Sequence, residues 1–206
     1  MQHYIVEIVG TITMSKRNKM NTIRIIAGLW RGRRLEVLDV DGLRPTTDRV
    51  RETVFNWLMP NLAGARCLDL FAGTGALGFE SLSRGASFVQ CVELNKLAAK
   101  SIQKNAVDLM MESAHNQIAI EQTDALQFLT RKSPYTFDIV FLDPPFKSSV
   151  LASTIELLDQ NDWLSNRALV YIEQSTKSVL PDLPSAWTIH RKAKAGQSAF
   201  YLLRTG

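Results

Sequence analysis

The sequence has few of the residues that form metal centres and disulfide frameworks. It holds 2 cysteines and 3 histidines, and neither Cys67 nor Cys91 has the spacing of a metal-ligand set. Both cysteines lie in apolar runs that predict interior strands, where a free thiol packs as a small hydrophobic group. We therefore expect neither a metal site nor a disulfide, as is usual in a reducing cytoplasm.

Long hydrophobic runs are also absent. No apolar run approaches the roughly 20 residues that a helix needs to span a bilayer. Glu7 interrupts the short apolar run near the amino end, so no signal peptide is predicted. With 46% hydrophobic and 21% charged residues, the composition is that of a soluble globular protein. We expect a cytoplasmic monomer with no membrane partner.

The excess of charge of one sign is small. The formal net charge is +4 and the isoelectric point is about 9.2, which favours an anionic partner only mildly. A solvated surface with a slight excess of lysine and arginine explains the same numbers.

The chain length suits one α/β domain with a short extension, and 206 residues would be cramped for two domains. We expect residues 1–22 to be a poorly ordered leader, with Met20 as an alternative start. Residues 23–60 are predicted to form a hairpin and a helix packed on the core, and residues 61–206 the main domain.

The amino-terminal hairpin is predicted from two strand-like runs, 23–27 and 34–38. Its tip is basic and contains a tryptophan. Trp30 either stacks on a base or covers the core, and three arginines are candidates to contact phosphates: Arg31, Arg33 and Arg34. The alternative is a solvated turn around a packed tryptophan. We favour contact with RNA.

A helix is predicted next, because apolar residues recur at helical spacing from Val50 to Leu58. Its cap is expected among residues 46–48. Pro60 and Gly64 are expected to end it.

Strands and helices then alternate along the chain. Strand-like runs lie at 67–71, 87–92, 117–121, 137–142 and 168–173, and helical patterns at 78–84, 97–109, 125–131 and 151–158. Two final runs, 187–191 and 198–203, flank a short turn and should pair antiparallel. This pattern predicts an α/β fold with a seven-stranded mixed sheet, mostly parallel, and helices on both faces.

A glycine-rich turn follows the first of these strands. Gly73, Gly75 and Gly78 have the G-x-G-x-x-G spacing that allows a ligand to approach the backbone closely, although a plain strand-to-helix turn has the same spacing. Asp69 disfavours a dinucleotide, because its carboxylate would repel the pyrophosphate. S-adenosylmethionine instead presents an ammonium and a sulfonium, so the acid favours this cofactor.

Two further acids follow the next strands. Glu93 ends the run 88–92 and can accept hydrogen bonds from both ribose hydroxyls of an adenosine group. Asp124 follows the run 117–121, where it is either a cofactor contact or the N-cap of the next helix.

The strand 137–142 is followed by the tetrapeptide D-P-P-F. In an open α/β sheet the ligand crevice lies at the carboxyl ends of the strands, so Asp143 is expected beside the glycine turn. The Asp143 carboxylate and the Pro144 carbonyl can accept the two hydrogens of an exocyclic amine, which frees the nitrogen lone pair to attack a methyl group. Phe146 would stack on the base. The alternative for Asp143 is a turn former.

The D-P-P-F tetrapeptide resembles the motif of amino-group methyltransferases, in which Asp, Asn or Ser precedes two prolines and an aromatic residue. Together with I-R-I-I-A-G at 23–28, R-P-T-T-D-R-V-R-E-T at 44–53 and L-F-A-G-T-G-A-L-G at 70–78, it resembles the bacterial family of 16S ribosomal RNA guanine-N2 methyltransferases that modify guanine 966. The resemblance covers about residues 23–204. It implies a Rossmann-like class I methyltransferase fold and S-adenosylmethionine as cofactor. The implied partner is 16S RNA or the small ribosomal subunit, assembling or complete.

The predicted site follows from these motifs. The cofactor contacts are Asp69, Phe71, Gly73, Gly75, Glu93 and Asp124, and the target amine is held by Asp143, Pro144 and Phe146. The RNA contacts are Trp30, Arg31, Arg33, Arg34 and Arg44, on a hairpin expected beside the crevice and on a segment, 44–52, that the resemblance places at the cleft. A second basic cluster, Arg191, Lys192 and Lys194, is interpreted as a solvated hairpin.

Three rival functions are weighed. The first is an amino methyltransferase that acts on DNA adenine or protein glutamine, although a duplex-DNA enzyme usually carries a recognition domain for which this length leaves no room. The second is a non-catalytic RNA-binding module, which the set of acids disfavours. The third is a nicotinamide-dependent dehydrogenase, which Asp69 disfavours.

Overall fold

The computed structural model describes residues 21–37, 47–110, 117–145 and 150–206. The strands in these ranges are β1 (Asn21–Arg24), β2 (Arg34–Val37), β3 (Arg66–Asp69), β4 (Phe88–Val92), β5 (Gln117–Glu121), β6 (Phe137–Leu142), β7 (Leu164–Ser175), β8 (Thr188–Ala195) and β9 (Ser198–Arg204). The helices are α1 (Asp48–Leu62), α2 (Ala76–Ser83), α3 (Lys96–Met110), α4 (Ala125–Leu129) and α5 (Val150–Gln160). Residues 1–20 of the expected leader lie outside the described ranges.

Seven strands form one mixed sheet in the order β5-β4-β3-β6-β7-β9-β8. The first five are parallel, and β9 runs antiparallel to both β7 and β8. β1 and β2 pair antiparallel as a separate hairpin. The predicted α/β fold, with its seven-stranded sheet and amino-terminal hairpin, is confirmed.

The sheet is covered on both faces, as alternating strands and helices require. On one face the buried cluster draws residues from the hairpin, α1, α2 and α3, among them Ile25, Val54 and Phe79. On the other face α4 and α5 supply residues such as Phe128 and Ile155. The division of the chain into a segment 23–60 and a main domain 61–206 stays a prediction.

Several boundaries differ from expectation: β1 ends at Arg24 instead of residue 27, and β7 begins at Leu164 instead of residue 168. Two further differences have a clear physical reason. Pro60 lies inside α1, which continues to Leu62. The helix ends just before Gly64, the other residue expected to end it, which has a φ of +76°. Pro60 itself is exposed while Leu62 is buried, so burial of the last turn outweighs the one hydrogen bond that proline removes. β8 continues to Ala195, because its pairing with β9 extends through residues 192–195 and leaves a turn of only two residues.

The hairpin tip packs on the last turn of α2. The Leu29 backbone N–H donates to the Ser83 carbonyl at 2.7 Å, and the Trp30 backbone N–H donates to Ser83 Oγ at 2.9 Å. Ser83 Oγ in turn donates to the Ala27 carbonyl at 2.6 Å. This close approach leaves no room for a side chain at the preceding turn position, Gly28.

Gly28→Ala is expected to lower the free energy of unfolding by about 3 to 5 kcal/mol. Gly28 has a φ of +85°, and an added Cβ would lie 1.8 Å from the Ser83 carbonyl oxygen. Gly32→Ala is the matched control, because Gly32 has a φ of +84° but an added Cβ meets nothing within 4 Å. The control therefore carries backbone strain alone, about 1 to 2 kcal/mol. Urea unfolding measures both variants, and equal losses would contradict this packing.

None of the helices in the described ranges is long and apolar enough to cross a membrane. Within the same ranges, no group of three or more His, Cys, Asp and Glu side chains is arranged to hold a metal ion.

Candidate active site

The candidate site lies where the parallel strands end. Asp69 is the last residue of β3, Glu93 follows β4, Asp124 follows β5 after a short loop, and Asp143 follows β6. Since these four strands are parallel neighbours, their carboxyl ends share one rim. The structure therefore brings the four predicted acids to the edge of the sheet that carries the glycine turn.

The glycine turn joins β3 to α2 through backbone that favours glycine. Gly73 and Gly75 have φ values of +52° and +75°, and an added Cβ at Gly75 would lie 2.9 Å from the Phe79 ring. A Cβ at Gly78 would lie 3.0 Å from Cys91 Sγ, so this glycine lets α2 pack closely on β4. The turn thus presents bare backbone at the rim.

Glu93 fixes the glycine turn. Its Oε2 accepts from the Gly73 backbone N–H at 2.7 Å, and its Oε1 accepts from the Asn95 backbone N–H at 2.6 Å. Burial raises the pKa of this carboxyl, and the two N–H donors oppose that rise. The sequence predicted only that Glu93 contacts a ribose. That contact stays a prediction, and the two backbone hydrogen bonds leave room for it, since a carboxylate oxygen that accepts one hydrogen bond can accept another.

Asp69 is a buried carboxylate without a hydrogen-bond partner in the described part of the chain. It is 1% exposed, and neither side-chain oxygen is paired. The backbone N–H groups of Phe71 and Gly78 lie near enough to lower its pKa, but neither reaches hydrogen-bond geometry. Burial, with the Glu93 charge second, raises the pKa of Asp69 from 3.8 to about 7. An unpaired buried acid of this kind is a place for a cationic group.

Asp124 caps α4. Its Oδ1 accepts from the Gln127 backbone N–H at 3.0 Å, which is the alternative that the sequence left open. Its half-buried side chain lies at the rim, and its contact with a cofactor stays a prediction.

Asp143 and Pro144 lie just beyond β6, half-buried and buried respectively; Phe146 lies outside the described residues. A pair that sequence analysis missed lies on the neighbouring strand β7. The buried Tyr171 hydroxyl donates to Glu173 Oε2 at 2.8 Å. Burial, followed by the charges of Glu173 and Asp143, raises the pKa of Tyr171. Asp143 therefore lies close to this pair, a proximity that shows only once the register of β6 on β7 is known.

The predicted RNA contacts require one correction. Trp30 is 2% exposed and belongs to the hydrophobic cluster that covers the sheet, so it covers the core and is not available to stack on a base. Burying the large apolar ring of tryptophan is more favourable than leaving it in solvent, even at the tip of a hairpin. Arg44 lies outside the described residues.

The position of the hairpin also differs from expectation. Arg31, Arg33 and Arg34 are exposed, but the tip packs on the carboxyl end of α2. The glycine turn is at the other end of this 8-residue helix, about 12 Å away. The hairpin tip therefore does not lie beside the crevice, and its binding of RNA stays a prediction.

A second group that sequence analysis missed is a buried ionic network beneath the hairpin. Glu80, on α2, accepts from the backbone N–H groups of Ile26 and Ala27 at 2.8 and 3.1 Å and from Arg84 Nε at 2.6 Å. A second guanidinium, that of Arg51, lies 3.9 Å away. The network attaches the hairpin to the helix that begins at the glycine turn.

Known proteins share this fold and these motifs. A family model described as Conserved hypothetical protein 95 matches residues 23–204. The chain is 47% identical over 181 residues to Ribosomal RNA small subunit methyltransferase D of Escherichia coli, which covers 87% of this chain and 88% of that protein. The protein of the same name from Haemophilus influenzae is 45% identical over 187 residues, covering 90% and 95%. A solved structure from Escherichia coli has a TM-score of 0.81 at 42% identity, covering 90% of this chain and 98% of that chain.

The sheet order and the match to methyltransferases at 45–47% identity define a Rossmann-like, S-adenosylmethionine-dependent methyltransferase. The chain belongs to the Conserved hypothetical protein 95 family, together with the relatives named ribosomal RNA small subunit methyltransferase D. The family resemblance drawn from the motifs is thereby confirmed.

Proposed function

We propose that this enzyme, an S-adenosylmethionine-dependent ribosomal RNA methyltransferase, acts on the exocyclic N2 amine of a guanine in the 16S RNA of the small ribosomal subunit. Guanine 966 is the nucleotide that the family resemblance implies. The observation that carries the proposal is the placement of Asp143-Pro144-Pro145 on the rim that also holds the unpaired Asp69 and the glycine turn. The names of the relatives support an RNA substrate.

The cofactor site is assigned to Asp69, Phe71, the glycine turn, Glu93 and Asp124. When bound, S-adenosylmethionine supplies an electrophilic methyl group on a positively charged sulfur. Asp69 offers a buried negative charge to the ammonium or sulfonium. The backbone at Gly73 and Gly75 lets the ligand approach without contact with side chains.

The target amine is assigned to Asp143 and Pro144. An exocyclic amine is a poor nucleophile because its lone pair is delocalised into the ring. If the Asp143 carboxylate and the Pro144 carbonyl accept its two hydrogens, the nitrogen can pyramidalise and the positive charge that grows on it is stabilised. Asp143 can then take the proton that the methylated nitrogen releases. Phe146, by the same resemblance, stacks on the base.

Cofactor affinity is expected to rise about tenfold between pH 6 and pH 8, as the fraction of ionised Asp69 rises. The pKa of Asp69 is about 7 in the free protein, and a cationic ligand lowers it, so binding below this pH releases a proton. The same raised pKa means that the free protein loses stability as pH rises from about 4 to 7, because the unfolded chain is already ionised there. Asp69→Asn should bind the cofactor more weakly and without this pH dependence.

Isothermal titration calorimetry with S-adenosylmethionine at several pH values gives the affinity at each pH. Repeating it in buffers of different ionisation enthalpy gives the number of protons released on binding. Asp162→Asn is the control, since Asp162 is exposed and precedes the amino end of β7, at the opposite edge of the sheet. A wild-type affinity that stays flat from pH 6 to pH 8 would show that Asp69 does not face the cation.

The reaction itself is tested with S-adenosylmethionine that carries a labelled methyl group. The protein is offered unmethylated small subunits, protein-free 16S RNA or duplex DNA, and the modified nucleoside is identified by mass spectrometry. We expect N2-methylguanine in RNA, in the wild type and in Asp162→Asn but not in Asp143→Ala. Label in N6-methyladenine of DNA, or in protein, would refute the RNA assignment while leaving the fold and the cofactor in place.

A further inference from the structure

The carboxyl-terminal edge strand β8 carries an unbalanced positive charge. Residues 183–206 contain no aspartate or glutamate but four lysines and arginines, Arg191, Lys192, Lys194 and Arg204. This equals the formal net charge of the whole chain, +4. The three on β8 are exposed. None of these three forms an ion pair with any residue in the described ranges.

The register places these cations at the rim of the candidate site. Leu142 pairs with Ile172, Ile172 with Tyr201, and Tyr201 with Lys192. Lys192 is therefore level with the end of β6, where Asp143 follows. Three strand spacings separate β8 from β6 in the sheet order, a distance of about 14 Å. Along a nucleic-acid strand with stacked bases, this distance corresponds to about four nucleotides.

The cations lie on both sides of the edge. Ala193 and Ala195 pack against the hydrophobic cluster of one sheet face, so the alternate residues Lys192 and Lys194 point to the other side. Arg191 shares the side of Ala193 but is exposed. Because β8 is the last strand in the sheet order, its outer backbone edge is also open among the described residues. Cations on both sides of an open edge suit an extended phosphate backbone.

We propose that β8 binds phosphates of the RNA about four nucleotides along the chain from the nucleotide whose base lies at Asp143. This inference rests on the proposed RNA methylation, and it revises the interpretation of the cluster as a merely solvated hairpin. The cations of β8 are level with the rim of the candidate site. The arginines of the hairpin tip are not, because the tip lies at the carboxyl end of α2, about 12 Å from the glycine turn. The competing explanation is that lysines on an edge strand only prevent pairing with other sheets.

The test compares two variants with the same change of charge. Lys192→Gln/Lys194→Gln removes two cations from β8. Lys100→Gln/Lys132→Gln removes two exposed cations from α3 and from the segment after α4, which lie on other parts of the surface. Binding to protein-free 16S RNA is measured over a range of salt concentrations, and steady-state methylation is measured alongside.

The β8 variant is expected to bind RNA about 3- to 10-fold more weakly at physiological salt. The slope of log affinity against log salt concentration should be shallower by about 1.4 to 1.8 than in the wild type. Its KM for RNA should rise while kcat stays within twofold, since these contacts hold the substrate equally before and during the reaction. Affinity for S-adenosylmethionine should not change. The control variant should change the slope by less than about 0.5.

If the wild-type protein methylates RNA but the two variants have equal salt slopes, the proposed role of β8 is wrong while the proposed function stands. Self-association of the β8 variant without loss of RNA affinity would overturn it in favour of edge protection. If the wild type places no label in RNA, the proposed function itself is wrong, and this is visible before any variant is made.

Discussion

Asp143→Asn is expected to lower the rate of methyl transfer by about 10²- to 10³-fold. The substitution keeps the shape of the side chain but replaces a carboxylate by an amide, which stabilises the positive charge on the target nitrogen less strongly and cannot take up the proton that is released. Half-buried Asp143 lies beside the buried pair Tyr171 and Glu173, so the charge that develops on the nitrogen is screened less there than in open water. The loss should therefore appear in the chemical step, measured by single-turnover transfer from labelled cofactor.

Binding of cofactor and RNA separates this expectation from a loss of structure. Both affinities should stay within about twofold, because an interaction made only in the transition state lowers kcat without raising KM. Asp162→Asn makes the same chemical change at an exposed position and should transfer methyl groups at the wild-type rate. A tenfold loss of cofactor affinity in Asp143→Asn, with normal turnover at saturation, would assign Asp143 to cofactor binding instead.

The order of strands and helices was predictable from sequence because each element has its own local pattern. The apolar run at 67–71, and the glycines after it, predict a strand followed by a tight turn from their local pattern alone. The common rim follows from topology, since parallel strands present their carboxyl ends together. These two facts predict that Asp69, Glu93 and Asp143 lie on one rim of the sheet, as they do in the structure.

Contacts between elements distant in sequence were not predictable in this way. Trp30 lies between Gly28 and Gly32 in a basic turn, and nothing local shows that the end of α2 will cover it. Pro60 is a helix breaker by propensity, yet the burial of Leu62 extends the helix past it. Glu80 looks like an ordinary helical acid, because its partners, the amides of Ile26 and Ala27, lie more than fifty positions away.

Glu80→Ala is expected to lower the free energy of unfolding by about 3 to 5 kcal/mol. Glu80 is fully buried and satisfies two backbone N–H groups and the Arg84 guanidinium. Its removal also leaves the buried Arg51 without its nearest buried negative charge, although Asp48 still accepts from Arg51 at 2.6 Å. Urea unfolding measures the loss, and hydrogen exchange should show lost protection at Ile26 and Ala27.

Two further variants show which part of the network matters. Glu80→Gln retains an acceptor for the backbone N–H groups but not the charge, so it should lose less than Glu80→Ala and keep the hairpin amides protected. Glu52→Ala removes an exposed glutamate from α1 and should change stability by less than about 0.5 kcal/mol. If Glu80→Ala were as stable as Glu52→Ala, the hairpin would have to be held by apolar packing alone. Because the hairpin is attached to α2, whose N-cap is Gly75 in the glycine turn, its loosening should also weaken cofactor binding, which a titration of the same variants with S-adenosylmethionine tests.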